Sequence, residues 1–292
     1  IIMALLCPMI ALPPEAKAAS KSVEVSNFTE LQNALADATV DTIIVTSNIN
    51  VDVSYDNSKS TTALLVADRN LTIMGKDAQQ FTIKRTGTAT NTAKSLLEIW
   101  GNGTYDGIQV SIYNIIFDGG AVFAAGSTAA IRYGTSSPAY TNTGISGHGV
   151  IDIANKGTLN MENGAYVING VSTSNSNTRN SQGMAHNSGS SPYGGGIRVD
   201  FLATTGGGTV NMKAGSAIYD CYSSGWGGGI GAYNYARLNL YGGTISRCAS
   251  NNGAAISVTY RGNTAANTGG SIEVFGGTIT DCYSPGNGAA LY

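Results

Sequence analysis

Thr158-Leu159-Asn160-Met161, Thr209-Val210-Asn211-Met212, Arg237-Leu238-Asn239-Leu240 and Ser271-Ile272-Glu273-Val274 are four versions of one short segment. Apolar and polar residues alternate in each, the period-two pattern of a strand with one buried and one wet face. Leu159, Met161, Val210, Met212, Leu238, Leu240, Ile272 and Val274 form the inward set, and Asn160, Asn211, Asn239 and Glu273 the outward one. Ahead of these segments lie glycine-flanked strands: Gly147-His148-Gly149-Val150-Ile151-Asp152-Ile153, Gly194-Gly195-Gly196-Ile197-Arg198-Val199, Gly227-Gly228-Gly229-Ile230-Gly231-Ala232 and Gly253-Ala254-Ala255-Ile256-Ser257-Val258. Gly288-Ala289-Ala290-Leu291 begins the same pattern again. A third strand follows at Ala165-Tyr166-Val167, Ser216-Ala217-Ile218, Gly243-Thr244-Ile245 and Gly277-Thr278-Ile279. The spacing varies, from 26 residues between Gly227 and Gly253 to 51 between Thr158 and Thr209, because the loops differ in length.

A unit of three short strands cannot bury its own inner face. Stacking the same strand of successive units as a parallel ladder closes a continuous core. The expected fold is therefore all-β, a right-handed parallel β-helix with three-strand coils, forming a single domain over 20–292. A sandwich would use hairpins with two-residue turns, and a propeller four strands per blade; unequal loops between three-strand units fit a coil better. The first half repeats more loosely, through strands such as Thr42-Ile43-Ile44-Val45 and Leu71-Thr72-Ile73-Met74. Ahead of it Asn27 and Glu30 have capping-box spacing, and Phe28, Leu31, Ala34 and Leu35 make one apolar stripe. The spacing predicts a short N-terminal helix covering the open end of the coil, where unpaired backbone groups need protection.

Phe28-Thr29-Glu30-Leu31-Gln32-Asn33-Ala34-Leu35, the strands that follow it and the Gly-Gly-Thr-Ile units resemble the pectate-lyase-like right-handed parallel β-helix superfamily, and within it bacterial secreted or surface repeat proteins. The resemblance covers roughly residues 22–292. It implies the fold far more than the activity, because members include polysaccharide lyases, hydrolases, adhesins and stalks. Gly147-His148-Gly149 resembles one short polygalacturonase motif, but no Asp-Asp pair, Asn-Thr-Asp or Arg-Ile-Lys accompanies it.

Of 292 residues, 16 are Lys or Arg and 18 Asp or Glu, a formal net charge of −2. Such a balance excludes a basic nucleic-acid footprint, and a hydrophobic share of 42% excludes a disordered chain. The apolar run Ile1–Leu12, broken at Pro13-Pro14 and followed by Ala16-Lys17-Ala18, reads as a secretory signal peptide occupying 1–19. No later apolar run is long enough to span a bilayer. The expected location is secreted or cell-surface, and the chain reads as truncated before Ile1 and after Tyr292.

Stacking turns repeats into columns. Cys221, Cys248 and Cys282 each lie six residues after a corner glycine (Gly215, Gly242, Gly276) and are expected to stack, as reduced thiols or as one disulfide with a spare thiol. Asp220, Arg247 and Asp281 precede them, charges of alternating sign that suit neighbouring rungs. For catalysis the candidate set is His148, Asp152, Arg198 and Asp200, converging on one strand face; the bland alternative is a surface ion pair with a loop histidine. Under a lyase reading calcium would bind there, although two acids facing an arginine are a poor cage for an ion that wants six to eight oxygens. No other metal or cofactor is expected. Tyr193, Tyr222, Trp226, Tyr233, Tyr235, Tyr260 and Tyr283 are candidates for contact with an extracellular polysaccharide or a host or surface protein, or else for stacking along the coil. The Ser172–Pro192 and Thr135–Gly144 stretches read as surface loops.

Overall fold

The computed structural model describes residues 20–55, 57, 63–87, 94–123, 140–141 (backbone only), 149–173, 192–199, 207–233, 235–259 and 270–292. The leader, His148, Asp200, Tyr260 and most of the two surface loops lie outside them.

Among the described residues the equivalent strands stack side by side in parallel. An eight-strand sheet runs Lys21–Val25, Val40–Val45, Leu71–Gly75, Gln109–Tyr113, Thr158–Met161, Thr209–Met212, Arg237–Leu240 and Ser271–Val274. A seven-strand sheet holds Ile49–Asp52, Phe81–Thr86, Ile115–Asp118, Tyr166–Ile168, Ala217–Tyr219, Thr244–Ser246 and Thr278–Thr280. Six strands make the third: Ala63–Ala67, Ser95–Trp100, Ile151–Ala154, Ile197–Val199, Ile230–Ala232 and Ile256–Val258. Hydrogen bonds run along the stack, and the described residues are all-β apart from one α-helix and a short 3-10 turn, an arrangement consistent with a parallel β-helix. Val122–Phe123 and Tyr140–Thr141 form an antiparallel pair beside it.

The register is the one the repeats call for. Leu159 pairs with Val210, Val210 with Leu238 and Leu238 with Ile272. Leu159, Met161, Val210, Met212, Leu238 and Leu240 are all buried in one core that also takes Ile153, Val199, Val167, Ile218 and Ile245 from the other two sheets. On the last strand Ile272 is only half-buried and Val274 is exposed.

The expected three-strand unit meets a fourth element. Val171–Ser172, Tyr222–Trp226 and Ala249–Asn252 form a short parallel sheet of their own, reached through a left-handed turn at Asn169, Asp220 and Arg247 (φ 54, 55 and 51°). Asn and Asp visit that conformation readily and arginine rarely does. Arg247 is held there by two bonds to the Asp220 carboxylate, Nε to Oδ1 at 2.7 Å and Nη2 to Oδ2 at 2.6 Å. The predicted stacking of opposite charges is realised at this pair.

The predicted helix spans Phe28–Ala36, with the Asn27 side chain accepting from the Glu30 N–H. Glu30 reaches back one residue further than a capping box requires, accepting from the Ser26 N–H at 2.7 Å. Leu31, Ala34 and Leu35 are buried in the same core as the strands, so the helix covers that end of the coil. Arg69 finishes it, donating to the carbonyls of Ala34, Leu35 and Val40 at 2.8–2.9 Å and satisfying groups that every helix C-terminus leaves open. One inward strand position is unexpected: Arg85 is wholly buried, donating to the carbonyls of Gly119 and Lys94. Burial presses its guanidinium down to about 9, with Asp118 opposing.

Leu238→Ala is expected to lower unfolding free energy by about 2–5 kcal/mol by opening a cavity in the stack. Asn239→Ala, next along the strand but facing outward, is expected to cost only ~0.5–1.5 kcal/mol. Urea unfolding midpoints at constant slope separate the two; equal losses would contradict the inward–outward assignment.

Candidate functional site

Asp152 and Arg198 sit opposite each other on adjacent strands of the six-strand sheet, as their shared position in the repeat demands. Their column runs Val66, Glu98, Asp152, Arg198, Gly231, Ser257, pointing away from the core that Ile151 and Ile153 enter. The Arg198 Nε lies 4.0 Å from Asp152 Oδ1. Outward does not mean wet here. Asp152 is 0% exposed, Arg198 1% and Glu98 1%, so the expected surface ion pair is in fact buried. Tyr193 lies under the guanidinium, its ring centre 4.7 Å from Arg198 Cζ, and Tyr233 packs edge-on against Tyr193 at 4.1 Å. The other two members of the candidate set, His148 and Asp200, are outside the described residues. Gly149, beside His148, has a packing role: a Cβ there would meet the Gly194 carbonyl oxygen at 2.3 Å.

The aromatic candidates do not share an open face. Tyr193, Tyr222 and Tyr233 are buried, Trp226 and Tyr283 half-buried, and Tyr235 exposed. Tyr222 packs with Ala121, Val171 and Ala249 behind the short fourth sheet, Tyr283 against the same cluster. Tyr193 and Trp226 bridge neighbouring rungs. Among these rings Tyr193 and Tyr233 are in direct contact.

The outer columns are laced along the axis. Asn211 Nδ2 donates to Asn160 Oδ1 and Asn239 Nδ2 to Asn211 Oδ1, each at 2.8 Å, while Asn160 reaches Ser111 Oγ at 3.3 Å. Among the described residues, Cys221, Cys248 and Cys282 are free thiols, the first two buried. Each Sγ lies 3.4 Å from the carbonyl oxygen two residues back. Burial, then the neighbouring Cys221, raises the Cys248 thiol well above its ordinary range; for Cys282 the hydrogen bond with Cys248 leads and burial follows. Among the described residues no group of three or more His, Cys, Asp or Glu side chains is placed to hold a metal ion, and no helix is long and apolar enough to cross a membrane.

Two features escaped the sequence reading. Tyr105 lies between the Arg237 guanidinium (3.8 Å) and the Lys156 ammonium (4.9 Å), its hydroxyl donating to the Tyr235 carbonyl. The second is the corner joining the eight- and seven-strand sheets, where Glu162-Asn163-Gly164-Ala165 and Lys213-Ala214-Gly215-Ser216 are followed by the one-residue-shorter Tyr241-Gly242-Gly243 and Phe275-Gly276-Gly277, leading into the paired Tyr166, Ala217, Thr244 and Thr278. Glu162 and Lys213 form an ion pair at 2.5 Å; Tyr241 and Phe275 stack with centroids 5.0 Å apart and planes 7° from parallel. From Asn163 through Ala214 to Gly242 and Gly276 the side chain at one corner position dwindles, and a cleft of about 500 Å³ opens there, lined by Tyr166, Ala214–Ala217, Tyr241–Thr244 and Gly277. The dwindling position was legible as a repeat; its opening was not, because it depends on which side chains of adjacent rungs turn away.

A scan against protein-family models finds none that matches the chain. Searches of curated proteins and of solved structures also find no match.

Because folding raises the Cys248 and Cys282 thiols, their contribution to stability is fully present below the ordinary thiol value of ~8.5 and is lost as pH rises above it. Alkaline unfolding is expected to move to higher pH in Cys248→Ala than in the parent. Alkylation at neutral pH followed by peptide mapping is expected to label Cys282 first, and Cys221 and Cys248 only after denaturation.

Proposed function

We propose that this chain is a secreted or cell-surface β-helix, of the right-handed pectate-lyase-like kind with three principal strands per coil, serving as an adhesin, stalk or carbohydrate-contacting module without catalysis. The observation that carries the reading is the burial of Asp152 and Arg198, the latter with its guanidinium on the Tyr193 ring. An acid or base must touch its substrate, and a polymer in solvent does not reach either group. A buried ion pair holds its two strands in register instead, and stripping one partner strands the other charge. What the coil offers outside includes a ladder of bonded asparagines beside opposite-charge pairs at the rung spacing. The apolar leader at 1–19 supports export, and the partners proposed are an extracellular polysaccharide or a host or surface protein.

The competing reading is a polysaccharide lyase or glycoside hydrolase acting on an acidic polysaccharide through His148, Asp152, Arg198 and Asp200. Reducing-sugar and unsaturated-product assays over a polysaccharide panel separate the two. The expected outcome is glycan or cell-surface binding without turnover. Turnover by the parent protein, abolished in Asp152→Asn while its melting temperature holds, would overturn the non-catalytic reading. A structural role for Asp152 is expected to show instead as a loss on the order of 3–5 kcal/mol in Asp152→Ala.

A further inference from the structure

We infer that the point filled by the Tyr105 ring, facing Arg237 and Lys156, is a site for a phosphate monoester group, with the ring as its internal plug. The inference stands apart from the carbohydrate-contacting reading, since it concerns the phosphate whatever carries it. Lys156 and Arg237 are unlike the other cations of the coil. Among the described residues, every other Lys or Arg that is not buried has a carboxylate at 2.5–3.7 Å. These two have none there. Both face the Tyr105 ring instead, Arg237 Cζ at 3.8 Å and Lys156 Nζ at 4.9 Å from its centre. Asp106, the residue after Tyr105, is exposed and, among the described residues, pairs with neither. Two uncompensated positive charges therefore converge on one point.

The neighbouring column adds hydroxyls. Gln109, Thr158, Thr209 and Arg237 pair in register on four successive rungs, on the outward side that Asn160 and Asn211 share. Tyr105 leaves from the Gln109 rung and reaches Arg237, three rungs on, so the 101–108 loop spans the rungs of Thr158 and Thr209. Both threonines are buried, at 1% and 3% exposure. Neither hydroxyl has a hydrogen-bond partner among the described residues. A buried hydroxyl left unanswered is costly. Two of them in one column, beside two unpaired cations, make a set of donors without an acceptor.

That set selects the ligand. A guanidinium, an ammonium and hydroxyls all donate, so the occupant is rich in acceptors, and two positive charges match a dianion. A phosphate monoester carries about −1.5 to −2 at pH 7 with three acceptor oxygens, whereas a uronate or a sulfate ester is a monoanion. A phosphorus at the ring centre stands 3.8 Å from Arg237 Cζ, which lets the guanidinium fork take two oxygens. Lys156, on its flexible stem, closes in from 4.9 Å. The ring is held by one hydrogen bond at its tip, to the Tyr235 carbonyl, and by the same two cations that the phosphate claims. Tyr105 and the ligand therefore compete, and displacing the ring opens the way to the threonine hydroxyls.

Calorimetric titration of the full chain at low salt with glucose 6-phosphate, glucose 6-sulfate and glucuronate tests this. Glucose 6-phosphate is expected to bind once per chain at about pH 7.5 and tenfold or more weaker at about pH 5, below its second pKa of about 6. Both monoanions are expected to bind tenfold or more weaker than the phosphate at the higher pH. Arg237→Gln and Lys156→Gln are each expected to weaken phosphate binding tenfold or more and Thr209→Val about threefold. Lys76→Gln, which removes a cation paired elsewhere with Glu24, is expected to change it less than twofold. Tyr105→Phe loosens the plug and Tyr105→Ala removes it, so both are expected to bind more tightly, the second threefold or more. Melting temperatures report whether each variant folds. Absence of binding even in Tyr105→Ala, or binding that survives both Arg237→Gln and Lys156→Gln, overturns the site. A monoanion that binds as tightly as the phosphate overturns the monoester assignment. Parent-like binding in Thr209→Val overturns the role of the hydroxyls, and parent-like binding in Tyr105→Ala overturns the plug. Glycan binding, read separately on the polysaccharide panel, stands or falls independently of these results.

Discussion

Parallel, in-register stacking of successive coils is the constraint on which everything else in this protein depends. With neighbouring strands ~4.8 Å apart, every side chain lies on its equivalents in the rungs above and below. A residue is therefore selected for what it does to its own column. Isoleucine, leucine, valine and methionine fill most of the inward columns, with Arg85 as the charged exception. The outward columns show three chemical solutions to the same proximity: amides that donate up the ladder at 2.8 Å, opposite charges at Arg247–Asp220 and Lys213–Glu162, and aromatic rings at Tyr241–Phe275.

Thiol columns and charge columns respond to burial in opposite ways. A thiol gives up little when desolvated, because its neutral form needs no counter-ion, and the Cys221–Cys248–Cys282 line behaves as a row of small core side chains. A carboxylate or guanidinium gives up far more. Asp152 and Arg198 offset that cost as opposite charges on adjacent rungs with a tyrosine face beneath the guanidinium, while Glu98 stands next to Asp152 on the rung before. Such an arrangement resists register slip, since a one-residue shift would put Asp152 into the apolar interior.

That same regularity separates what the coil can recognise from what it can catalyse. A ladder places identical chemistry at fixed spacing, which suits a polymer contacted unit by unit. An acid–base pair needs two different groups held apart in a space open to substrate. The charged column is closed, whereas the corner between the eight- and seven-strand sheets opens as its side chains shrink from Asn163 to Gly242.

The amino-acid sequence by itself determined the repeat, the inward and outward sets, the capping helix, the thiol column and the pairing of Asp152 with Arg198 and Asp220 with Arg247. All of these follow from period and spacing, which are properties of a single chain read in order. The fourth sheet was also written there, in Cys221-Tyr222-Ser223, Cys248-Ala249-Ser250 and Cys282-Tyr283-Ser284, but its strands are too short to announce themselves by alternation. Only the tertiary structure decided which outward columns are wet. Period two says that Asp152 leaves the core; it does not say that Asp152 and Arg198 will be buried with the guanidinium on the Tyr193 ring, nor that Lys213 will lean toward Glu162. Exposure is set by what packs over a column from distant parts of the chain, and no local pattern carries that information.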